Sequence, residues 1–480
     1  MTTEPLPVST PSAQGVDARG ISALVDALEA EAGVEPHSLV VLRHGHVVAQ
    51  GWWAPFTAAS PHLLYSLSKS FTSMATGIAV AEGLLGLDDP VLSHFPELDA
   101  EVTDPRSRSL LVRHVAAMAS GHVEDAWERA FALDPQDPVR GFLLLPPEQE
   151  PGSVFAYNQC CTYALAAIVQ RAAATTLTEY LRPRLLDPLG IGEVGWQQHP
   201  AGRDLGFTGL HAPTDAVARL GQLLLQGGEW EGRQLVPKEW VREATRTQVA
   251  TPGDVPDWSQ GYGYQFWQSQ HGYRGDGAYG QFCLVLPEHD AVVAITSATT
   301  AMQEVLDAVW RHLLPALGEG PVAGGGEADA ALADRLSGLA LVPVAERPEP
   351  GGDPSAWVGA TFAPAGGTCA AQPSLTGVSV VAGSGGWQVV LDEEGARLSC
   401  SLGTGGWALA EPVAAGRPVP LAVSGGWTSS GSLRFSVLFR ETPHRLEVEC
   451  SPGTGAFEAR WVHAPLRTGR LVDLRMPVPS

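Results

Sequence analysis

The stretch Leu63-Leu64-Tyr65-Ser66-Leu67-Ser68-Lys69-Ser70-Phe71-Thr72-Ser73-Met74 places a polar cluster at the start of an otherwise apolar helix. Helical residues three apart share a face, so a helix beginning near Tyr65 projects Ser66 and Lys69 side by side from its first turn. A serine hydroxyl is a poor nucleophile at its free pKa, and a lysine desolvated beside it gives up its charge and accepts the serine proton. The helix N-terminus adds free N–H groups and the positive end of the dipole. Both favour a developing oxyanion and disfavour an ammonium. Because S-x-x-K recurs by chance in long chains, the support for this reading has to come from elsewhere in the sequence.

At 480 residues the chain exceeds one ordinary core and predicts two domains. Hydrophobic residues make up 44% and charged residues 17%, a globular composition. Acidic residues outnumber basic ones by 52 to 30, a formal charge of −22. That charge repels polyphosphate and anionic lipid, so neither nucleic acid nor a membrane is an expected partner. Met1 to Gln14 has no basic n-region or apolar h-region, and no run is long enough to span a bilayer, so a cytoplasmic protein is expected. Cys160, Cys161, Cys283, Cys369, Cys400 and Cys450 form no C-x-x-C pair and have no histidine at metal-ligand spacing. Reduced thiols, no metal and no cofactor are expected, and no pattern fixes an oligomeric state.

Taken in order, residues 1–14 read as a flexible Pro/Ser-rich arm and Val16 to Gly33 as an amphipathic helix. Residues 38–43 and 46–52 read as a hairpin about His44-Gly45. The Ser66 helix continues to near Gly83, and a second apolar helix, Leu110 to Met118, ends at Ala119-Ser120-Gly121-His122. His122 has no acid and nucleophile paired with it in sequence and reads as a loop-packing residue. Tyr157-Asn158-Gln159 precedes a helix over 162–171, Thr214-Asp215 caps a helix over 216–225, and residues 261–267, 277–286 and 290–295 read as three consecutive strands. Glycines before Phe282 imply close backbone approach to a neighbour. After a helix over 302–317, residues 318–350 read as a linker with a short helix. The final segment, 351–480, alternates in short strands between Gly-rich turns, with Gly-Gly-Trp at 385–387, 405–407 and 425–427. It predicts a small sandwich or a lipocalin-like barrel.

With these pieces in place, residues 15–317 resemble the penicillin-recognising serine hydrolase superfamily of serine β-lactamases, D-alanyl-D-alanine peptidases and related esterases and amide hydrolases. The likeness is to its class C-like branch. It is carried by Leu64 to Thr72, Asp88-Asp89-Pro90-Val91, Ala119-Ser120-Gly121-His122, Pro151-Gly152 through Tyr157, Leu186-Asp187-Pro188-Leu189-Gly190-Ile191 and Gly261-Tyr262-Gly263-Tyr264, in matching order and spacing. The resemblance implies an α+β fold, an antiparallel sheet between helix layers. It implies Ser66 as the acylated nucleophile, Lys69 as its base and Tyr157 as the proton shuttle. The third motif falls at Gly275-Asp276-Gly277, so the backbone N–H groups of Ser66 and Ala278 are the implied oxyanion hole.

Two departures bear on the substrate. The family's Y-x-N is Tyr157-Asn158-Gln159 here, leaving Gln159 or Asn158 to fill the asparagine's place. The third motif begins with Gly275 instead of a cation. A lost charge-assisted hydrogen bond to a substrate carboxylate is worth about 1.5–3 kcal/mol, which disfavours β-lactams and D-Ala peptides relative to small esters or amides. Arg274 could restore the charge if it turned inward, but alternation along the strand predicts that it faces solvent. The expected function is therefore an esterase-leaning serine hydrolase. The alternatives are a β-lactamase or short-amide hydrolase and a catalytically inert binding or sensor protein on the same fold.

Overall fold

The computed structural model describes residues 5–351, 353–383 and 386–478. Gly385, which opens the Gly-Gly-Trp at 385–387, lies outside the described residues, as do residues 1–4 of the arm. Two compact units divide the chain. One takes the residues up to Gly51 and Leu63–Ser337, the other Trp52–His62 and Gly338–Pro477.

The first unit is built on a six-stranded sheet in the spatial order His46–Trp52, Val34–Arg43, Ala291–Thr299, Gln281–Leu286, Tyr273–Gly277, Trp267–Gln268. Its pairs are antiparallel, with Leu39 opposite Ile295, Ile295 opposite Phe282, and Phe282 opposite Asp276. Val34–Arg43 and Ala291–Thr299 are buried almost without interruption, the signature of a sheet covered on both faces. The helix Thr214–Leu225 packs on three of the central strands, and Ala18–Ala30 buries Ile21, Leu24, Val25 and Leu28 as one stripe beside Val34–Arg43. This is the expected sandwich of helices about an antiparallel sheet.

Local details differ from expectation for identifiable reasons. Thr214-Asp215 does not cap its helix. Pro213 holds that position, the Thr214 hydroxyl bonds Ser38 Oγ at 2.6 Å, and Asp215 pairs with Arg219 one turn on. The 261–267 run is not one strand, because Gln265 adopts φ +71°, a left-handed conformation that cannot continue an extended ladder. Tyr273–Gly277 supplies the strand instead, and the chain turns through 278–280 before Gln281–Leu286.

Residues 318–350 do not form a single linker. The helix Gly326–Ser337 packs on Ala18–Ala30, with Arg335 paired to Asp26 and Glu29 and the Ser12 N–H donating to Asp329 at 3.2 Å. Farther on, Arg347 and Trp427 exchange backbone hydrogen bonds of 3.1 and 2.9 Å, which joins this stretch to the second unit.

The second unit is a nine-stranded sheet, beginning at Ala396–Ser401 and ending at Ala408–Ala410 in spatial order. Gly403, just beyond the first of these strands, bridges to Ser424 within Leu421–Trp427, so the sheet curls back on itself as a barrel. Trp357, Phe362, Trp427, Phe435, Phe439 and Phe457 fill its interior. Glu393 accepts hydrogen bonds from the Leu471 N–H at 2.6 Å and the Val472 N–H at 3.2 Å, seating both side chains in that core.

Trp427 is fully buried, and truncation of such a side chain costs about 3–5 kcal/mol. Trp427→Ala is therefore expected to unfold the barrel at markedly lower urea, followed by tryptophan fluorescence. An unchanged midpoint would remove Trp427 from the barrel's core.

Candidate active site

Ser66 lies in a single 3₁₀ turn, Tyr65–Leu67, that runs directly into the helix Ser68–Ala81. Tyr65 enters the turn at φ +48°, a conformation costing an L-residue roughly 1–2 kcal/mol. Its buried ring meets Tyr279 edge-on at 5.4 Å. The turn tips Ser66 and Lys69 to the same side, as their spacing predicts. Lys69 Nζ is 2.9 Å from Ser66 Oγ, 2.8 Å from Gln159 Oε1 and 2.9 Å from the Phe207 carbonyl oxygen.

The three partners of Lys69 are chemically unequal. Gln159 Oε1 and the Phe207 carbonyl only accept, whereas a hydroxyl also donates. A neutral amine has two N–H bonds and one lone pair. It is satisfied by donating to the two carbonyl oxygens and accepting from the Ser66 hydroxyl. Burial drives Lys69 toward that neutral form, lowering its pKa to about 7, against the opposing fields of Asp125 and Asp276.

Tyr157 stands over the same amine, with Lys69 Nζ 4.8 Å from its ring centroid. Burial pushes the Tyr157 pKa well above the ordinary phenol value, with the Ser66 side chain opposing the rise, so the phenol stays protonated. Trp267 stacks on Tyr157 at 5.3 Å and 23°, and Tyr262 packs edge-on against both rings. Trp267 also lies 5.9 Å from the Arg274 guanidinium, measured to its ring centroid.

The strand Tyr273–Gly277 runs against the Ser66 turn at a distance only glycine permits. A Cβ on Gly277 would lie 2.1 Å from the Leu64 carbonyl oxygen, and one on Gly275 would lie 2.4 Å from Ser70 Oγ. The neighbour implied by the glycines before Phe282 is, at Gly277, this turn. Ala278 is the next residue along the chain. Among the described residues the Ala278 backbone N–H has no backbone acceptor.

Gln159, and not Asn158, reaches Lys69. Asn158 is the buried N-cap of the helix Gln159–Ala173, its Oδ1 accepting from Cys160 N at 3.0 Å and Ala126 N at 3.2 Å. Arg274 does not face solvent and is completely buried. The alternation expected along the strand holds, but the face opposite Gly275 is also covered, by Trp258, whose ring lies 4.5 Å from the guanidinium. His122 is buried against Phe142 and bonded to Ser120 Oγ at 3.0 Å, a packing role.

Sequence reasoning missed three contributors. Asp125 accepts from the Gln159 and Trp127 N–H groups at 3.0 and 3.1 Å, and nothing in the sequence around it singled it out. Trp267 was visible as a strand aromatic, with nothing to mark it as the platform for Tyr157. The Phe207 carbonyl is backbone and leaves no trace in residue type.

A serine hydroxyl beside a desolvated amine, under a protonated phenol and on this fold, is an arrangement suited to serine hydrolysis. A family model for Beta-lactamase matches residues 21–316, and the chain belongs to that family. It is 26% identical over 293 residues to the 6-aminohexanoate-dimer hydrolase of Paenarthrobacter ureafaciens, covering 54% of this chain and 72% of that protein. It is also 26% identical over 215 residues to esterase EstB of Burkholderia gladioli, covering 39% of this chain and 54% of that one. The solved structure of EstCE1, a hydrolase with promiscuous acyltransferase activity, shares the fold with TM-score 0.52 and 16% identity over 62% of this chain and 99% of its own. The protein is a serine hydrolase of the β-lactamase family acting on esters or amides.

The two backbone N–H groups that Asn158 satisfies belong to the segments carrying Gln159 and Asp125. Losing such a cap costs about 0.5–2 kcal/mol. Asn158→Ala is expected to lower thermal stability by that amount, read by calorimetry. Unaltered melting would show that Asn158 is not the cap.

Proposed function

We propose that the protein hydrolyses small ester or amide substrates, esters preferred, through an acyl-enzyme on Ser66. The observation that carries this reading is the Lys69 amine, 2.9 Å from Ser66 Oγ and with its two other contacts both to obligate acceptors.

In the proposed cycle the Ser66 proton moves to Lys69 Nζ as Oγ bonds to the substrate carbonyl carbon. The oxyanion that forms is held by the Ser66 and Ala278 N–H groups. Tyr157 gives its phenol proton to the leaving oxygen or nitrogen, that bond breaks, and the Lys69 ammonium restores the phenol. Cation–π attraction to the Tyr157 ring stabilises the ammonium while it lasts. Water then attacks the acyl carbon, its proton passes through Tyr157 to Lys69, and Ser66 Oγ leaves with a proton returned from the same pair. Atoms and charge close over one turnover, and no metal or cofactor is required.

Small-molecule substrates suit an acidic chain with a net charge of −22, which gives no hold on nucleic acid or anionic membranes. Among the described residues no helix is long and apolar enough to cross a membrane. The cytoplasm is the compartment we propose, supported by six cysteines that are all buried and free.

Intact mass after fluorophosphonate treatment tests the nucleophile. Wild type is expected to take one adduct and Ser66→Ala none. An unmodified, folded wild type would sink the reading. Since neutral Lys69 is the base and its pKa is about 7, the labelling rate should rise with pH through a midpoint near 7 and level off above it. Lys69→Met should slow labelling by about 10²–10⁴-fold at every pH. Gly277→Ala pushes the strand off the Ser66 turn and should cost about 10²–10³-fold in ester kcat, the usual cost of losing an oxyanion donor.

A further inference from the structure

Arg274 is the most enclosed cation near the site, and its surroundings are one-sided. Its Nε donates to Asp276 Oδ2 at 3.0 Å. Nη1 is committed to the Asp257 carbonyl oxygen at 2.7 Å, the Gln268 carbonyl oxygen at 3.0 Å and Ser269 Oγ at 2.7 Å. Nη2, equally buried, has no acceptor among the described residues. Trp258 and Trp267 flank the guanidinium at 4.5 and 5.9 Å, fixing it in place independently of the carboxylate. Among the described residues the Nε/Nη2 edge, the side a guanidinium offers to a carboxylate, is therefore met by Asp276 alone.

The nearby Asp257 carboxylate is already occupied. It accepts from the Gln270 N–H and Nε2, both at 2.9 Å, from Gln303 Nε2 at 2.8 Å and from Trp310 Nε1 at 3.0 Å. Asp276 is therefore the carboxylate that pairs with Arg274. It is 7% exposed, flanked by the two glycines whose missing side chains face the Ser66 turn and the helix it opens, and close enough to act electrostatically on Lys69 and Tyr157.

We propose that Asp276 is a built-in carboxylate that occupies the anion-binding capacity of Arg274 beside the nucleophile, so that the enzyme selects acyl substrates without a negative charge near the scissile bond. This selection rests on the reading of Ser66 as the nucleophile. A substrate carboxylate reaching this end of the strand meets the negative charge of Asp276 in a region of low dielectric, while the cation that would bind it is already paired. A neutral ester meets no such opposition. Removing the Asp276 charge leaves Arg274 buried, still held by its two indoles and three acceptors, and short of an anion. An incoming carboxylate can then take that place through Nε and Nη2, the bidentate edge that guanidinium offers.

The test compares kcat/KM for a neutral p-nitrophenyl ester and an analogue of equal chain length ending in a carboxylate. Wild type is expected to favour the neutral ester by at least about tenfold. Asp276→Asn should raise the anionic substrate relative to the neutral one by about tenfold to a hundredfold, chiefly through KM, as expected for a regained charge-assisted hydrogen bond. Adding Arg274→Met to that variant should abolish the gain. Asp276→Ser provides a second route if the asparagine variant does not fold, and the wild-type ratio decides without either. Equal turnover of both esters by a wild type that labels at Ser66 overturns the selection alone. So does an unchanged ratio in a folded Asp276 variant, or a gain that survives Arg274→Met. A wild type that takes no fluorophosphonate overturns the hydrolase reading, and the selection with it.

Discussion

The proposed chemistry depends on one desolvated amine. Lys69 is 1% exposed, and a charged ammonium taken that far from water without a partnering carboxylate is expensive enough that the group neutralises instead. The supporting helix achieves this by being buried on every side, each residue from Ser68 to Ala79 included. Its hydroxyls make that possible. Thr72 bonds the Gly206 carbonyl at 2.9 Å, Ser73 that of Tyr264 at 2.7 Å, and Ser68 accepts from Leu210 N at 3.1 Å. Each buried polar group is satisfied by a different loop, so the polar run that marks this helix in sequence also ties it to the segments enclosing the lysine. The Phe207 carbonyl reaches Nζ because its loop is fixed by Thr72 one turn farther along.

A second constraint follows from how closely the strand Tyr273–Gly277 meets the Ser66 turn. Glycine at 275 and 277 lets the backbones approach, and the turn itself stores conformational strain. Tyr65 and Tyr279 take φ of +48° and +67°, one before the nucleophile and one after Ala278, and their rings pack against each other. Such conformations persist when surrounding packing over-determines them. The two strained residues thus flank Ser66 and Ala278, the proposed oxyanion donors, and their rings meet each other.

Much of this was legible in the sequence because it depends on spacing. The i, i+3 relation of Ser66 and Lys69, the hairpin about His44-Gly45 and the amphipathic helix Ala18–Ala30 each follow from a local period. A close backbone approach just before Phe282 was readable too, since glycines mark it. The environment of Arg274 was not. Alternation says which face a side chain takes but not whether that face is covered, and the cover comes from Trp258, sixteen positions away in a loop without periodicity. Gln159 against Asn158 was undecidable for a related reason. Both follow Tyr157, and a single backbone angle, set by where the helix Gln159–Ala173 begins, sends one amide to cap that helix and the other to the lysine.

The placement of charge around Lys69 then has a consistent physical sense. Burial alone would drive its pKa further down, to an amine too weakly basic to hold the serine proton. Asp125 and Asp276 pull it back to about 7, where base and conjugate acid are both populated near neutrality. Asp276 can remain a carboxylate in so enclosed a position only with a cation beside it, since burial raises its pKa and Arg274 opposes the rise. The guanidinium therefore acts on the lysine at one remove. It sustains the negative charge that keeps the amine basic, and the same ion pair leaves the entrance of the third motif without a free cation. In the proposed mechanism the basicity of Lys69 and the lack of an unpaired cation for the substrate both trace to a single contact, Arg274 Nε to Asp276 Oδ2 at 3.0 Å.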